Sequence, residues 1–146
     1  MLNETLEKIA SDRGFEFRIG AEHWQNLIDG PDDSDKSFAD KKKYLMFFNE
    51  REESNMTDLG IGIESERITG TFFFAVRSRL YDPDFKHKYD NHIKPLKALA
   101  LTIRDEDFGC LSDYRLRQYV LESWRENYLD TNLDCVEVRI ELVNKV

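Results

Sequence analysis

A chain of 146 residues, 40% of them hydrophobic, is expected to fold as one globular domain spanning residues 1–146. Its 29 Asp and Glu outnumber 21 Lys and Arg, a net charge of −8, which argues against a protein whose main task is to grip nucleic-acid phosphates. The longest apolar runs are too short for a membrane helix, so the protein is not expected to contact a membrane. Met1–Thr5 lacks the basic and apolar regions of a signal peptide, which predicts a protein that is made in a cytoplasm.

The N-terminal part of the chain predicts a helix, a short extended segment and a second helix. Asn3 is suited to cap the first helix, and Gly14 to adopt the left-handed conformation after its end. Residues 15–19 alternate apolar and charged side chains, which favours a short strand. Residues 21–28 suit a short helix that the following Gly and Pro terminate.

Two polar segments are predicted to be mobile unless a partner orders them: residues 30–42, a loop, and residues 49–58, a loop or an extended hairpin tip. Their low apolar content cannot offset the entropy lost on ordering. A solvated loop is the simplest interpretation of the first segment, but long loops are often functional. Its acidic side chains are therefore candidates for facing a channel or a partner: Asp32, Asp33 and Asp35.

The middle of the chain predicts a sheet. Tyr44–Phe48 is apolar on both faces, which is typical of a central strand, and Ile61 and Ile63 suggest a short one. Ile68–Leu80 predicts a long strand. One of its faces carries Ile68, Phe72, Phe74 and Val76, and the other Thr69, Thr71, Phe73, Ala75 and Arg77.

A long helix, Pro83–Ile103, is predicted to follow and to pack across this sheet, with Asp82 as its cap. Pro95 lies in its interior, where proline removes a hydrogen bond and crowds the carbonyl four residues earlier. We therefore expect a kink near Asn91 or a break after Lys94.

The C-terminal part predicts a hairpin. Leu111–Tyr128 fits either a helix or a strand, and the turn residues at 130–132 favour the strand slightly. Cys135–Val143 alternates apolar and charged residues, so we expect Val138 to be buried and Glu137 and Arg139 to be more exposed. The predicted fold is α+β: an antiparallel sheet, one long Pro-kinked helix packed across it and an N-terminal helix.

The chain shows no motif for phosphate, cofactor or metal binding, so no catalytic, cofactor-binding or metal-binding residue is predicted, and the protein is not expected to be an enzyme. A dispersed acid–base site without a local motif is the weaker alternative. His87 and His92, five residues apart on a helix, are expected to point to different faces, His87 solvated and His92 half-buried. Cys110 and Cys135 are expected to be small buried hydrophobic residues without a disulfide.

The polar side of the predicted strands supplies candidates for a subunit interface. A large aromatic such as Phe73 among polar neighbours suits an interface. Cross-strand pairing with glutamates is the simpler explanation of the arginines. The candidates are Phe73, Arg77, Arg79, Glu137, Arg139 and Glu141.

The order of elements resembles that of the tail-terminator and tail-completion proteins found at the neck of long-tailed bacteriophages. The residues that carry the resemblance are Ile93-Lys94-Pro95-Leu96 in the long helix and Asn132-Leu133-Asp134 before the last strand. The resemblance implies a virion structural protein that forms a ring, often a hexamer, with a sheet facing neighbouring subunits and loops facing the channel. Its partners would be itself and the adjoining head–tail connector or tail-tube proteins, and DNA would pass through without tight binding.

In such a ring, Arg139 and its neighbours would meet a different patch of the next subunit, around Arg77 and Phe73. The alternative function is a small bacterial adaptor or regulatory domain that binds another protein through a sheet edge.

Overall fold

The computed structural model describes residues 2–19, 33–55, 65–78, 85–125 and 133–144. Helix α1 (Leu2–Arg13) is followed by strands β1 (Glu16–Ile19), β2 (Lys43–Asn55) and β3 (Ser65–Arg77). Helices α2 (Phe85–Lys88) and α3 (Lys94–Glu106) precede strands β4 (Tyr114–Arg125) and β5 (Leu133–Asn144). The predicted helix at 21–28, the strand at Ile61 and Ile63 and the cap at Asp82 lie outside the described residues.

The five strands form one mixed sheet in the order β1-β2-β3-β5-β4. Strands β2 to β5 pair antiparallel, as predicted, but β1 runs parallel to β2. The prediction of a purely antiparallel sheet is therefore wrong at this edge. The chain between Ile19 and Lys43 is long enough for the crossover that a parallel neighbour requires.

The main core lies on one face of the sheet, which we call the helix face. Leu6 of α1 and Leu96 and Ile103 of α3 are fully buried there. Leu45, Phe72, Phe74 and Val138 contribute from the strands, which confirms that Phe74 and Val138 are buried. Because both long helices cover the same face, the opposite face of the sheet, the open face, is left to other contacts.

The predicted long helix forms, with a π-helical segment, Tyr89–Ile93, between α2 and α3. The Lys94 N–H donates to the Tyr89 carbonyl, five residues earlier. Pro95 follows in the first turn of α3, and the wider π turn accommodates a residue that lacks an N–H and would crowd the Asn91 carbonyl of a regular helix. The distortion expected near Asn91 is thus a π turn.

Strand β2 is longer than the sequence pattern indicated. It continues through Asn55 and pairs with β3, so residues 49–55 are extended as the hairpin alternative predicted, and the loop alternative is wrong there. Residues 56–58 lie outside the described part of the chain. Phe48 is an extra residue between the pairs Phe47–Phe72 and Asn49–Thr71. This bulge leaves Phe48 45% exposed and places Arg51 and Glu53 on the open face.

Strand β4 forms one edge of the sheet and confirms the strand interpretation of Leu111–Tyr128 over residues 114–125. Register shifts at Arg117 and Glu122 each insert an extra residue opposite β5. β1, the other edge, has only four residues. Short and bulged edges are common ways of preventing strand addition.

Candidate functional site

The open face has a buried part and an exposed part. In the buried part, where β3 ends and β5 begins, Phe73 and Tyr44 are each 3% exposed and belong to a small second core. Its other members are Met46, Ala75, Leu133 and Cys135. In the exposed part, the register aligns Arg51, Thr69 and Glu141 in one row and Asn49, Thr71 and Arg139 in the next.

Arginines and glutamates of the exposed part alternate across four strands. Arg67 of β3 lies 3.4 Å from Glu53 of β2 and 3.4 Å from Glu141 of β5. Arg117 of β4 lies 3.8 Å from Glu141. Arg51 Nε pairs with Glu53 at 3.0 Å, whereas the other three distances are long for charge-assisted hydrogen bonds. Each guanidinium carries five N–H donors, so most of them can still bind other acceptors.

The arginines are outermost in this layer. The exposed side-chain fractions are 76% for Arg51, 63% for Arg117 and 59% for Arg139. Glu141 and Glu53 are only 13% and 25% exposed. The surface of the exposed part therefore presents guanidinium groups above partly buried carboxylates.

The six predicted interface residues differ in how exposed they are. Glu137 accepts a 2.8 Å hydrogen bond from Ser123 Oγ and is less exposed than Arg139, which is at the surface. Phe73 and Arg77 are 3% and 2% exposed, which corrects the expectation that they present a surface patch. Phe73 is covered because its end of the open face carries the second core, and its ring packs edge-on against Phe48 with centroids 6.1 Å apart. Arg79 lies outside the described residues.

The acidic loop is only partly available to a partner. Asp33 is buried and accepts a 2.7 Å hydrogen bond from the Lys42 backbone N–H, whereas Asp35 is exposed. The Nζ of Lys41, itself 3% exposed, donates to the carbonyls of Ser34 and Arg77 and so attaches the loop to the end of β3. The prediction that Asp33 faces a channel or a partner is therefore wrong, because its side chain is buried within the protein. Asp32 lies outside the described residues.

A cavity of about 550 Å³ opens between this loop and the π-helical segment, lined by Ser37, Phe38, His87, Asn91 and His92 among others. The rings of His87 and His92 are 6.5 Å apart, so the prediction that they point to different faces is wrong. The physical reason is the π turn, whose extra residue per turn places residues five apart on one side. His87 is exposed as predicted, and His92 is buried rather than half-buried.

One nitrogen of the His92 ring contacts a buried carboxylate. His92 Nδ1 lies 2.8 Å from Asp134 Oδ2, and Asp134 Oδ1 accepts a 3.0 Å hydrogen bond from Ser78 Oγ. Asp134 and Ser78 are fully buried. This chain of polar contacts joins the start of β5, the residue after β3 and the π-helical segment, and leaves the other nitrogen of the His92 imidazole for the cavity.

The remaining sequence predictions about chemistry concern cysteine and metal. Cys135 is buried as expected, but Cys110 is exposed, and neither forms a disulfide. Within the ranges that the structure describes, no three His, Cys, Asp or Glu side chains come together as a metal site.

Two tyrosines have raised pKa values, Tyr114 beside the main core and Tyr44 in the second core. The Tyr114 hydroxyl donates a 2.8 Å hydrogen bond to Glu66, and this bond, with burial, raises its pKa to about 12. Burial raises the pKa of Tyr44, with Arg77 acting in the opposite direction. Both groups are therefore neutral donors at ordinary pH, and the charge of the exposed part comes from its arginines and glutamates.

The chain was compared with known proteins. Neither a protein-family model nor a curated protein matches it. Among the described residues, no helix has the length and apolar character needed to cross a membrane.

The sequence identified Arg139, Glu137 and Glu141 but missed the arginines of the neighbouring strands. Arg51, Arg67 and Arg117 join this layer only through the strand register and two bulges, which the local pattern does not reveal. The only sequence pattern that could have indicated these arginines is weak: charged residues recur at every second position, as at Arg51 and Glu53.

Proposed function

We propose that this protein is a virion structural subunit without catalytic activity, and that it assembles into a ring through the exposed part of its open face. The observation that carries the proposal is the layer of outward-facing arginines on a sheet whose helices lie on the other face. Arginine is enriched at protein interfaces, and its unused N–H groups suit carboxylates of another chain.

The position in the virion follows from the resemblance to tail-terminator and neck proteins. The α+β architecture, with an N-terminal helix and a Pro-containing helix packed on the sheet, is compatible with that family. A net charge of −8 suits a ring through which DNA slides without tight binding. The adjoining connector or tail-tube proteins would be the further partners.

The edges of the sheet support assembly through a face. β1 is short and β4 carries two bulges, so neither of these two strands offers a long regular ladder of free backbone groups. This geometry disfavours the alternative of an adaptor that captures a peptide by strand addition to β1 or β4.

Light scattering after size exclusion, together with electron micrographs of the purified chain, tests the proposal. We expect a closed ring, and we expect Arg139→Glu to shift the mass toward the monomer without altering the circular dichroism spectrum. Arg139 is exposed, so the substitution should change folding stability by less than about 0.5 kcal/mol. A wild-type chain that stays monomeric up to high micromolar concentration would refute the ring.

A further inference from the structure

Exposed arginines and exposed carboxylates lie in different places on this molecule. Arg51, Arg67, Arg117 and Arg139 project from the exposed part of the open face, whose glutamates are partly buried beneath them. Exposed carboxylates lie on the helix side.

An acidic patch lies on the helix side, where the C-terminal ends of α1 and α3 meet. Arg13 of α1 joins the two helices by binding Glu106 and Asp107, each at 2.7 Å. The Asp105 and Glu106 side chains remain 65% and 64% exposed, and Asp12, the residue before Arg13, is also exposed. We call Asp12, Asp105, Glu106 and Asp107 the acidic patch.

Arg13 and Arg104 do not neutralise this patch. Arg13 is 23% exposed and lies between its two carboxylates, and Arg104 binds Asp105 at 2.8 Å. Two arginines against four carboxylates leave net negative charge, and the hydrogen bond from Arg104 keeps the pKa of Asp105 below its usual value. The patch is therefore ionised and negative at neutral pH.

We infer that the partner of the arginine layer is the acidic patch of a second copy of this chain, so that subunits join open face to helix side. The inference rests on the proposed function and names the two surfaces that meet. A two-fold contact of open face with open face would place arginines against arginines, and like charges in an interface are strongly unfavourable. Contact between two different surfaces is heterologous and closes into a ring when its rotation allows.

This assignment replaces the patch around Arg77 and Phe73, which the sequence suggested as the partner of Arg139. Those two side chains are almost fully buried and have little surface to offer. Asp105 and Glu106 are accessible in the isolated chain and have the opposite charge.

Charge exchange tests the inference. One variant reverses two charges of the open face, Arg117→Glu with Arg139→Glu. The other reverses two charges of the acidic patch, Asp105→Lys with Glu106→Lys. Each alone should raise the apparent dissociation constant at least about a hundredfold, because its two surfaces then carry the same sign. An equimolar mixture should assemble again, since the acidic face of the first fits the basic patch of the second.

The matched control carries the same charge change as the first variant at exposed sites of neither surface: Lys36→Glu with Lys94→Glu. It should assemble like the wild type. Circular dichroism checks that each variant is folded, and the neutral pairs Arg117→Gln with Arg139→Gln and Asp105→Asn with Glu106→Gln should weaken assembly less than the reversals.

The outcomes separate this inference from the proposed function. If the patch variant assembles normally while the face variant does not, the open face meets something other than the patch, and only the inference fails. Failure of the folded variants to assemble on mixing overturns it as well. A monomeric wild-type chain would overturn the ring and the inference together.

Discussion

At the scale of single residues, Gly70 sets how closely α1 approaches the sheet. A Cβ built on Gly70 would lie 2.3 Å from Leu2 Cδ2 and 2.8 Å from the Asn49 carbonyl oxygen. Leu2 is fully buried at this point, so the first turn of α1 packs directly on the backbone of β3.

Gly70→Ala should therefore destabilise the fold by about 1 to 3 kcal/mol, the usual cost of overpacking a core. Urea denaturation followed by circular dichroism measures this. Gly109→Ala is the control, because its Cβ would meet only the Arg104 carbonyl at 3.7 Å, an ordinary contact. Equal stability of the two variants would show that α1 can move away from β3 at little cost.

Asp134 is a fully buried carboxylate that contacts two other parts of the fold. Asp134→Ala removes the acceptor of the Ser78 Oγ hydrogen bond and the partner of His92 Nδ1, which should lower the free energy of unfolding by about 2 to 3 kcal/mol. Denaturant titration measures the loss. Asp113→Ala at an exposed position should change stability by less than about 0.5 kcal/mol.

Tyr119 makes stability sensitive to alkaline pH. Its hydroxyl donates a 2.8 Å hydrogen bond to the Ala100 carbonyl, and burial raises its pKa well above the ordinary value of 10.0. The unfolded chain then loses this proton at a lower pH than the folded chain. The contribution is complete below about pH 10 and is lost as pH rises further, by up to about 1.4 kcal/mol for each pH unit.

The test compares denaturant titrations of the wild type and Tyr119→Phe between about pH 8 and pH 11. The variant should start less stable, since it lacks the hydrogen bond, and should lose less stability above about pH 10. Parallel pH dependences would mean that Tyr119 does not titrate differently in the folded and unfolded chain.

At the scale of elements, the sequence predicted what periodicity alone determines. The alternation in β5 and the shared face of Ile68, Phe72 and Phe74 follow from one buried side, and the structure confirms both. Gly14 has a φ of +72° after α1, as its position predicted.

The features that sequence reasoning missed depend on tertiary contacts. The bulge at Phe48 and the π turn before Pro95 each insert one residue into a regular repeat. Pro95 indicates that the helix is distorted but not that the distortion is a π turn, and no local pattern marks the bulge. The π turn changes the face of His92 relative to His87, which explains why the two were wrongly predicted to point to different faces. Phe73 was judged from its neighbours on one strand, whereas Met46 of β2 lies opposite and helps to bury it.

At the scale of the whole molecule, the opposite charges of the arginine layer and the acidic patch should make assembly sensitive to salt. The Debye length falls from about 14 Å to about 4 Å between about 50 mM and 500 mM NaCl, which screens exposed pairs. We expect the proposed ring to dissociate toward monomers over this range in analytical ultracentrifugation. Assembly that strengthens with salt would indicate an apolar interface and contradict the electrostatic one.

The two bulges of β4 also bear on aggregation. Between them lie Gln118 to Leu121, of which Tyr119, Val120 and Leu121 have the bulk and branching that suit stacking into fibrils. The inserted residues, Arg117 and Glu122, bracket this segment with charges that a cross-β stack of identical chains would have to superimpose at every layer. We therefore expect the two irregularities of this edge to hinder fibril formation through β4.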